Sequence, residues 1–138
     1  MSVKNVSKLR VLYADTDAMG VVYHMNYLRW FEFGRAELLR QLGIPYAEIE
    51  KKGYNLPLTE VHCYYLFPAR YDDLVTIETQ ITFLRRASIK FNYEIWNETH
   101  ERLLVEGETV NACINEQGKI VRIPSFITEK IILKSEGE

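Results

Sequence analysis

The segment Tyr13-Ala-Asp-Thr-Asp-Ala-Met-Gly-Val-Val-Tyr-His-Met-Asn-Tyr-Leu-Arg-Trp-Phe-Glu, ending at Glu32, holds the residues best suited to chemistry. Asp15 and Asp17 fall in a short turn that contains Gly20, and an apolar bend then leads into an amphipathic helix. A helix N-terminus collects unpaired backbone N–H groups. A carboxylate beside one can attack a carbonyl while those groups hold the charge that develops on its oxygen. The same acids also have a plain turn reading, because Asp side chains bond nearby N–H groups in loops, and Asp15 fits that reading.

The elements that must position this turn follow from periodicity. Residues 5–14 read as a strand with Leu9, Val11 and Tyr13 on one face. From Asn26 to Leu42 the period becomes helical, with Tyr27, Trp30, Phe31, Gly34, Leu38 and Leu42 on one stripe. Gly43 before Ile44-Pro45 stops that helix, and Tyr46 to Lys51 adds a short helical turn. Strands follow over 56–67, 74–84, 88–96 and 103–114; in the middle two, apolar and polar residues alternate as in half-buried antiparallel strands. Residues 124–132 fit a short helix or a strand. One helix and about five antiparallel strands define an α+β domain, the helix packed on one sheet face. The arc of apolar residues on the helix is wide and aromatic, which suits enclosure by a curved sheet.

A chain of 138 residues fits a single domain over 1–138, with Lys134-Ser-Glu-Gly-Glu as a loose tail. Hydrophobic residues at 47% and charged residues at 26% give a soluble globular balance that can bury a core without disulfides or metal. A formal net charge of -2 gives no electrostatic case for nucleic acid, and no apolar run is long enough to span a bilayer. A cytoplasmic location is the expectation. Cys63 and Cys113 form no CxxC pair and read as buried free thiols; His24, His62 and His100 are too scattered for a metal site.

The spacing Asp15-x-Asp17-x-x-Gly20-x-x-Tyr23-His24-x-x-Tyr27 closely resembles the active-site motif of the 4-hydroxybenzoyl-CoA thioesterase family. These are hotdog-fold enzymes, in which a sheet wraps a central helix, and they hydrolyse acyl-CoA thioesters. The Pro-Ala-Arg-Tyr-Asp-Asp segment at 68–73 adds to the likeness. The resemblance implies that Asp17 is the catalytic carboxylate, attacking the thioester directly or activating a water. It implies that the backbone N–H of His24 is the oxyanion donor, whatever the His24 side chain does. No Gly-x-Ser-x-Gly elbow is present, and no cofactor or metal is required.

Gly20, Tyr23, Tyr27 and Glu60 become candidates for contact with substrate. Asn26 could cap the helix or touch the site, and the Tyr27, Trp30, Phe31 stripe could be core or could line an acyl pocket. Pocket depth would depend on Tyr23, Trp30, Tyr64 and Phe67. Arg85, Arg86 and Ser88, with Lys90 weaker, are candidates to hold CoA phosphates, against the alternative of a solvated hairpin. Arg70 reads as a turn residue paired with Asp72 or Asp73.

The family likeness further implies a homodimer or homotetramer with sites between subunits, where Glu60 and His62 could reach the partner's pocket. The carrier could be CoA or an acyl-carrier protein. Two other readings stand beside hydrolysis: a hotdog dehydratase, for which His24 would need Glu32 or Glu37 as partner, and a non-catalytic acyl-thioester binder.

Overall fold

The computed structural model describes residues 3–136, so Gly137 and Glu138 of the expected tail lie outside it. The elements are β1 (Lys4–Arg10), α1 (Asn26–Gln41), α2 (Tyr46–Lys51), β2 (Leu58–Tyr65), β3 (Leu74–Leu84), β4 (Ser88–Asn97), β5 (Leu103–Ala112) and α3 (Ser125–Glu136). The sheet is antiparallel in the order β1-β3-β4-β5-β2. This is the hotdog arrangement, with α1 packed on the inner face of the sheet.

The packing of α1 is set by what two glycines leave out. A Cβ on Gly34 would stand 2.1 Å from Thr79 Oγ1, and one on Gly107 would stand 2.6 Å from Phe31 Cζ. The missing side chains let the helix sink onto β3 and let the Phe31 ring lie over β5, where it stacks on Tyr93 at 4.2 Å. Phe31, Leu38, Leu39, Ile77, Ile81, Phe91, Ile95 and Val105 are fully buried around this contact. Arg35 is buried on the same helix and donates to the phenol oxygens of Tyr93 at 3.1 Å and Tyr46 at 3.4 Å.

The alternation read from sequence fixes the other face. Register places Glu78 opposite Glu94, and Glu94 opposite Glu106, in one row across the outer surface. Lys4 and His100 flank Glu78 at 2.8 and 2.6 Å.

Four expectations change. The first strand ends at Arg10, and residues 13–15 form a 3-10 turn. The second strand is shorter than 56–67: β2 spans Leu58–Tyr65 and is an edge strand, exposed along nearly its whole length. Residues 125–136 are a helix, because Ile127 and Ile131, four apart, both bury against the core; Lys134 and Ser135 therefore belong to α3 and not to a loose tail. Cys113 is buried as expected, while Cys63 is only half-buried. Among the described residues no helix is long and apolar enough to cross a membrane.

Candidate active site

Residues 16–22 form a miniature hairpin. Thr16 and Val22 bridge, Asp17 N–H donates to Val21 O at 2.8 Å, and Gly20 N–H donates to Asp17 O at 3.0 Å. A three-residue loop of this kind ends in the left-handed region, and Gly20 supplies it at φ 80°. The hairpin docks on the connection after β2, through a bridge between Val21 and Arg70 and through Val22 N–H to Ala69 O at 2.9 Å.

The two aspartates have different surroundings. Asp15 is buried; its Oδ1 meets Arg29 Nη2 at 2.6 Å and its Oδ2 accepts Leu12 N–H at 2.8 Å. Its backbone carbonyl accepts Tyr23 N–H at 2.8 Å and Asn26 Nδ2 at 2.9 Å. Asp15 is thus the structural acid of the turn. Asp17 is half-buried, and its Oδ1 accepts Met19 N–H at 2.8 Å. Its Oδ2 has no partner among the described residues, which leaves one oxygen free to act on a substrate or a water.

Asn26 does not cap the helix. Met25 already has helical angles, φ -71° and ψ -21°, so Asn26 is the first helical residue. Its side chain ties α1 to the Asp15 carbonyl and meets Arg29 Nε at 3.3 Å, so it holds the turn to the helix from behind.

His24 stands at the head of α1, exposed. Its backbone N–H has no acceptor among the described residues and is available to an oxyanion. The residue is held on both sides: Tyr23 O accepts Asn26 N–H at 2.9 Å, and His24 O accepts the Tyr65 hydroxyl at 3.0 Å. The imidazole packs on the rings of Tyr23 at 4.5 Å and Tyr65 at 6.2 Å. It meets no carboxylate among the described residues. Glu37 is engaged by Arg40 at 2.5 Å, so the His–carboxylate pair of a dehydratase is not formed within the subunit.

Beside His24 lies an open depression of about 210 Å³, walled by Val22, His24, Tyr27, Tyr65, Leu66 and Phe67. Tyr27 is its buried floor, and its hydroxyl accepts Ala69 N–H at 3.0 Å. Burial raises the Tyr27 pKa, so the phenol stays neutral. Trp30 packs edge-on to Tyr27 at 5.0 Å and is core, as is Phe31. Tyr23 is exposed, and Tyr64 points to the outer face of the sheet, beside Glu106; of the four expected pocket-shaping aromatics, only Phe67 lines this depression. On the other side of α1 runs a groove of about 880 Å³ between Leu28, Glu32 and Arg35 of the helix and Leu56, Pro57 and Leu58 at the start of β2.

Glu60 and His62 are exposed on β2, away from this subunit's Asp17 turn. Arg85, Arg86 and Ser88 sit at the opposite end of the sheet. The Asp17 turn is anchored where β3 begins, and these residues follow its end, 11 residues and roughly 35 Å away. Arg85 and Arg86, but not Ser88, border a cleft of about 320 Å³ together with Arg122, Ser125 and Thr128, and Ile123 N–H donates to Arg86 O at 2.8 Å. Sequence reasoning missed Arg122, which lies 36 positions from Arg86 and meets it only through the fold. Lys90 is engaged by Glu108 at 3.0 Å. Asp73 accepts the backbone N–H of Arg70 at 2.9 Å, and the expected Arg70 ion pair is not formed among the described residues. Among the described residues no cluster of His, Cys, Asp or Glu could hold a metal ion.

Comparison with known proteins agrees with this fold. The profile of the Thioesterase-like superfamily matches residues 11–131. The acyl-CoA thioester hydrolase YbgC of Escherichia coli is 36% identical over 107 residues, 78% of this chain and 79% of its own length. A DHNA-CoA thioesterase from Staphylococcus aureus has a TM-score of 0.87 at 31% identity, covering 98% of this chain and 95% of that one. A 4-hydroxybenzoyl-CoA thioesterase shares the fold, with a TM-score of 0.85 at 20% identity over 94% of this chain and 99% of that one.

Proposed function

The chain belongs to the thioesterase-like superfamily, and from that premise we propose that it hydrolyses an acyl-CoA thioester to the free acid and CoA, with Asp17 as the catalytic carboxylate. One observation carries the reading. A carboxylate with one tethered and one free oxygen, and a turn with an open backbone N–H at a helix head, belong to one small hydrogen-bonded unit.

The thioester oxygen accepts the His24 N–H and feels the positive end of α1, and a single donor of this kind lowers the barrier by roughly 3–4 kcal/mol. Asp17 then works by one of two routes. Its free oxygen adds to the carbonyl, the C–S bond breaks, CoA leaves as thiolate, and water cleaves the resulting anhydride. Alternatively, the carboxylate takes a proton from a water that adds to the carbonyl, and the tetrahedral adduct expels the thiolate. Met19 N–H holds the carboxylate in place in either case.

The working unit is a dimer through β2. That strand is an exposed edge with a row of apolar side chains, and an unpaired edge of this kind is a template for another chain. Two-fold antiparallel pairing sets the start of one β2 against the end of the other. The Leu58 end of the partner, with its Glu60 and its groove along α1, then comes beside this subunit's His24. The same inversion brings the partner's Arg85, Arg86, Ser88 and Arg122 to the side on which the Asp17 turn lies. The arginines would hold CoA phosphates at the surface while the acyl group enters between subunits. A tetramer would join two such dimers.

The test is thiol release from aliphatic and aromatic acyl-CoA thioesters and one acyl-carrier-protein thioester, by wild type and Asp17→Asn in parallel. Wild-type turnover that falls at least ~100-fold in the variant supports the reading. Turnover indifferent to the substitution removes Asp17 from its role, and binding without turnover by wild type leaves a non-catalytic acyl-thioester protein.

A further inference from the structure

We infer that Tyr65 is a positioning residue of this active site: its hydroxyl holds the His24 carbonyl and so fixes the backbone rotation at His24 that aims the adjoining His24 N–H at the developing oxyanion. The inference rests on the assignment of that N–H as the oxyanion donor.

His24 belongs to no regular element. It sits between the hairpin and the first turn of α1, where a peptide can rotate unless its groups are held. The peptide before it is held at its carbonyl, Tyr23 O, by Asn26 N–H at 2.9 Å. Among the described residues the peptide after it is held only by Tyr65, whose hydroxyl donates to His24 O at 3.0 Å. Loss of water and the neighbouring Cys63 thiol push the Tyr65 phenol up to about 12, so it remains a neutral donor at any ordinary working pH.

Tyr65 is itself well placed to act as a fixed post. Its ring packs edge-on to Tyr27 at 5.7 Å, and Tyr27 is tied to Ala69, whose carbonyl holds Val22 of the hairpin. The hairpin, the head of α1 and the end of β2 are therefore joined through two phenols. Tyr65 is the last residue of β2, the strand through which a second subunit would pair. Ordering that edge also orders the post on which His24 rests, so assembly and oxyanion geometry are linked through one hydroxyl.

The test is Tyr65→Phe, which keeps the ring and removes only the donor. Three quantities are read: kcat and KM on the best thioester, the affinity for free CoA, and the backbone amide NMR signals of residues 22–27. The expected result is a fall in kcat on the order of tenfold, short of the roughly 10²–10³ that losing an oxyanion donor outright costs. KM, CoA affinity and melting temperature stay unchanged, and the Met25 amide, next to the released carbonyl, shifts and broadens. An unchanged kcat overturns the inference even if the amide moves, because the bond is then only structural. Loss of kcat, CoA affinity and melting temperature together overturns it as well. If wild type turns over no thioester, the proposed function fails separately. In that event an unshifted Met25 amide refutes the anchoring of the His24 peptide, and a shifted one retains the anchoring while ending its catalytic meaning.

Discussion

Arg29 closes on Asp15 at 2.6 Å, and so, among the described residues, the one cation at the head of α1 that meets an aspartate serves the first of the pair and leaves the second without an ion-pair partner. The two acids stand two residues apart in the motif, and the fold makes one a buried anchor and leaves the other half-open. Asp15→Ala strands Leu12 N–H and releases Arg29; it should cost about 2 kcal/mol of stability, most of it from the lost hydrogen bonds since Arg29 is largely exposed. Asp17→Asn keeps an acceptor for Met19 N–H and should change stability by less than about 0.5 kcal/mol. Urea denaturation of both variants, set beside their thiol release, checks the division of labour.

Gly34 and Thr79 make a second pairwise test. Gly34→Ala drives a methyl into Thr79 Oγ1, and the strain of overpacking, on the order of 1–3 kcal/mol, exceeds the roughly 1 kcal/mol gained from better helix propensity. The Thr79 hydroxyl is itself buried, with no hydrogen-bond partner among the described residues. Thr79→Ala should therefore be tolerated alone, and it should recover much of the loss in the Gly34→Ala background. Additive effects in that double-mutant cycle would mean the two positions do not touch as described.

Stability should also carry the signature of Glu78. Its partial burial raises the pKa, but the hydrogen bonds and charges of Lys4 and His100 outweigh that and hold it below the ordinary carboxylate value of 4.5. A depressed folded pKa means stability that is complete above the unfolded value and disappears as pH falls through the folded one. Both partners are about half exposed, so the expected cost of Glu78→Gln at pH 7 is only ~0.5–1 kcal/mol. The gap between wild type and variant should close as unfolding is repeated from pH 6 down toward pH 3; a gap that widens on acidification contradicts the sign.

The exposed edge gives a prediction about assembly. Val61→Lys puts a charge in the middle of β2, a device that natural edge strands use against pairing. Light scattering should show a shift from dimer to monomer, and thiol release should fall with it. A monomeric variant with full activity would show that each site is complete within one chain.

The arginine cleft should act on substrate affinity rather than on chemistry. Arg86→Ala or Arg122→Ala should raise KM for CoA thioesters several-fold with little change in kcat, and should leave short pantetheine thioesters, which lack the nucleotide, unaffected. Equal losses on both substrates would place these arginines in the structure and not in nucleotide binding.

Much of this was readable from local pattern, and the exceptions share a cause. β3 has the bounds read from alternation, and α1 differs by one residue at its end. The fold was legible because period and stop signals are local. Asn26 was misread as a possible cap because the helix starts at a residue with helical angles but no capping side chain. The bounds of β2 were read two residues too long at each end because its apolar content continues past the last paired residues. Tyr65 gave no signal at all: its target is a backbone carbonyl 41 positions away, and a tyrosine in a strand looks like packing. Arg122 was missed for the same reason, since nothing near it in sequence marks the cleft it joins.

The order of strands in the sheet is not their order in the chain, and this governs when the protein becomes active. β3, β4 and β5 follow one another and pair with their neighbours, so they can form as soon as they exist. β1 must wait for β3, with Leu9 opposite Val75, and β2 must wait for β5, with Cys63 opposite Gly107. Such long closures are slow, and they come after the local meander. The turn that carries Asp17 is made near the start of the chain, yet it has no sheet to dock on until the ribosome has delivered residues far downstream. Tyr65, which steadies His24, is synthesised well before β5 and settled only with it. A nascent chain is therefore barred from hydrolysing thioesters until β5 has been translated, and truncation shortly after β4 should leave an inert product even though every residue of the Asp17 motif is present.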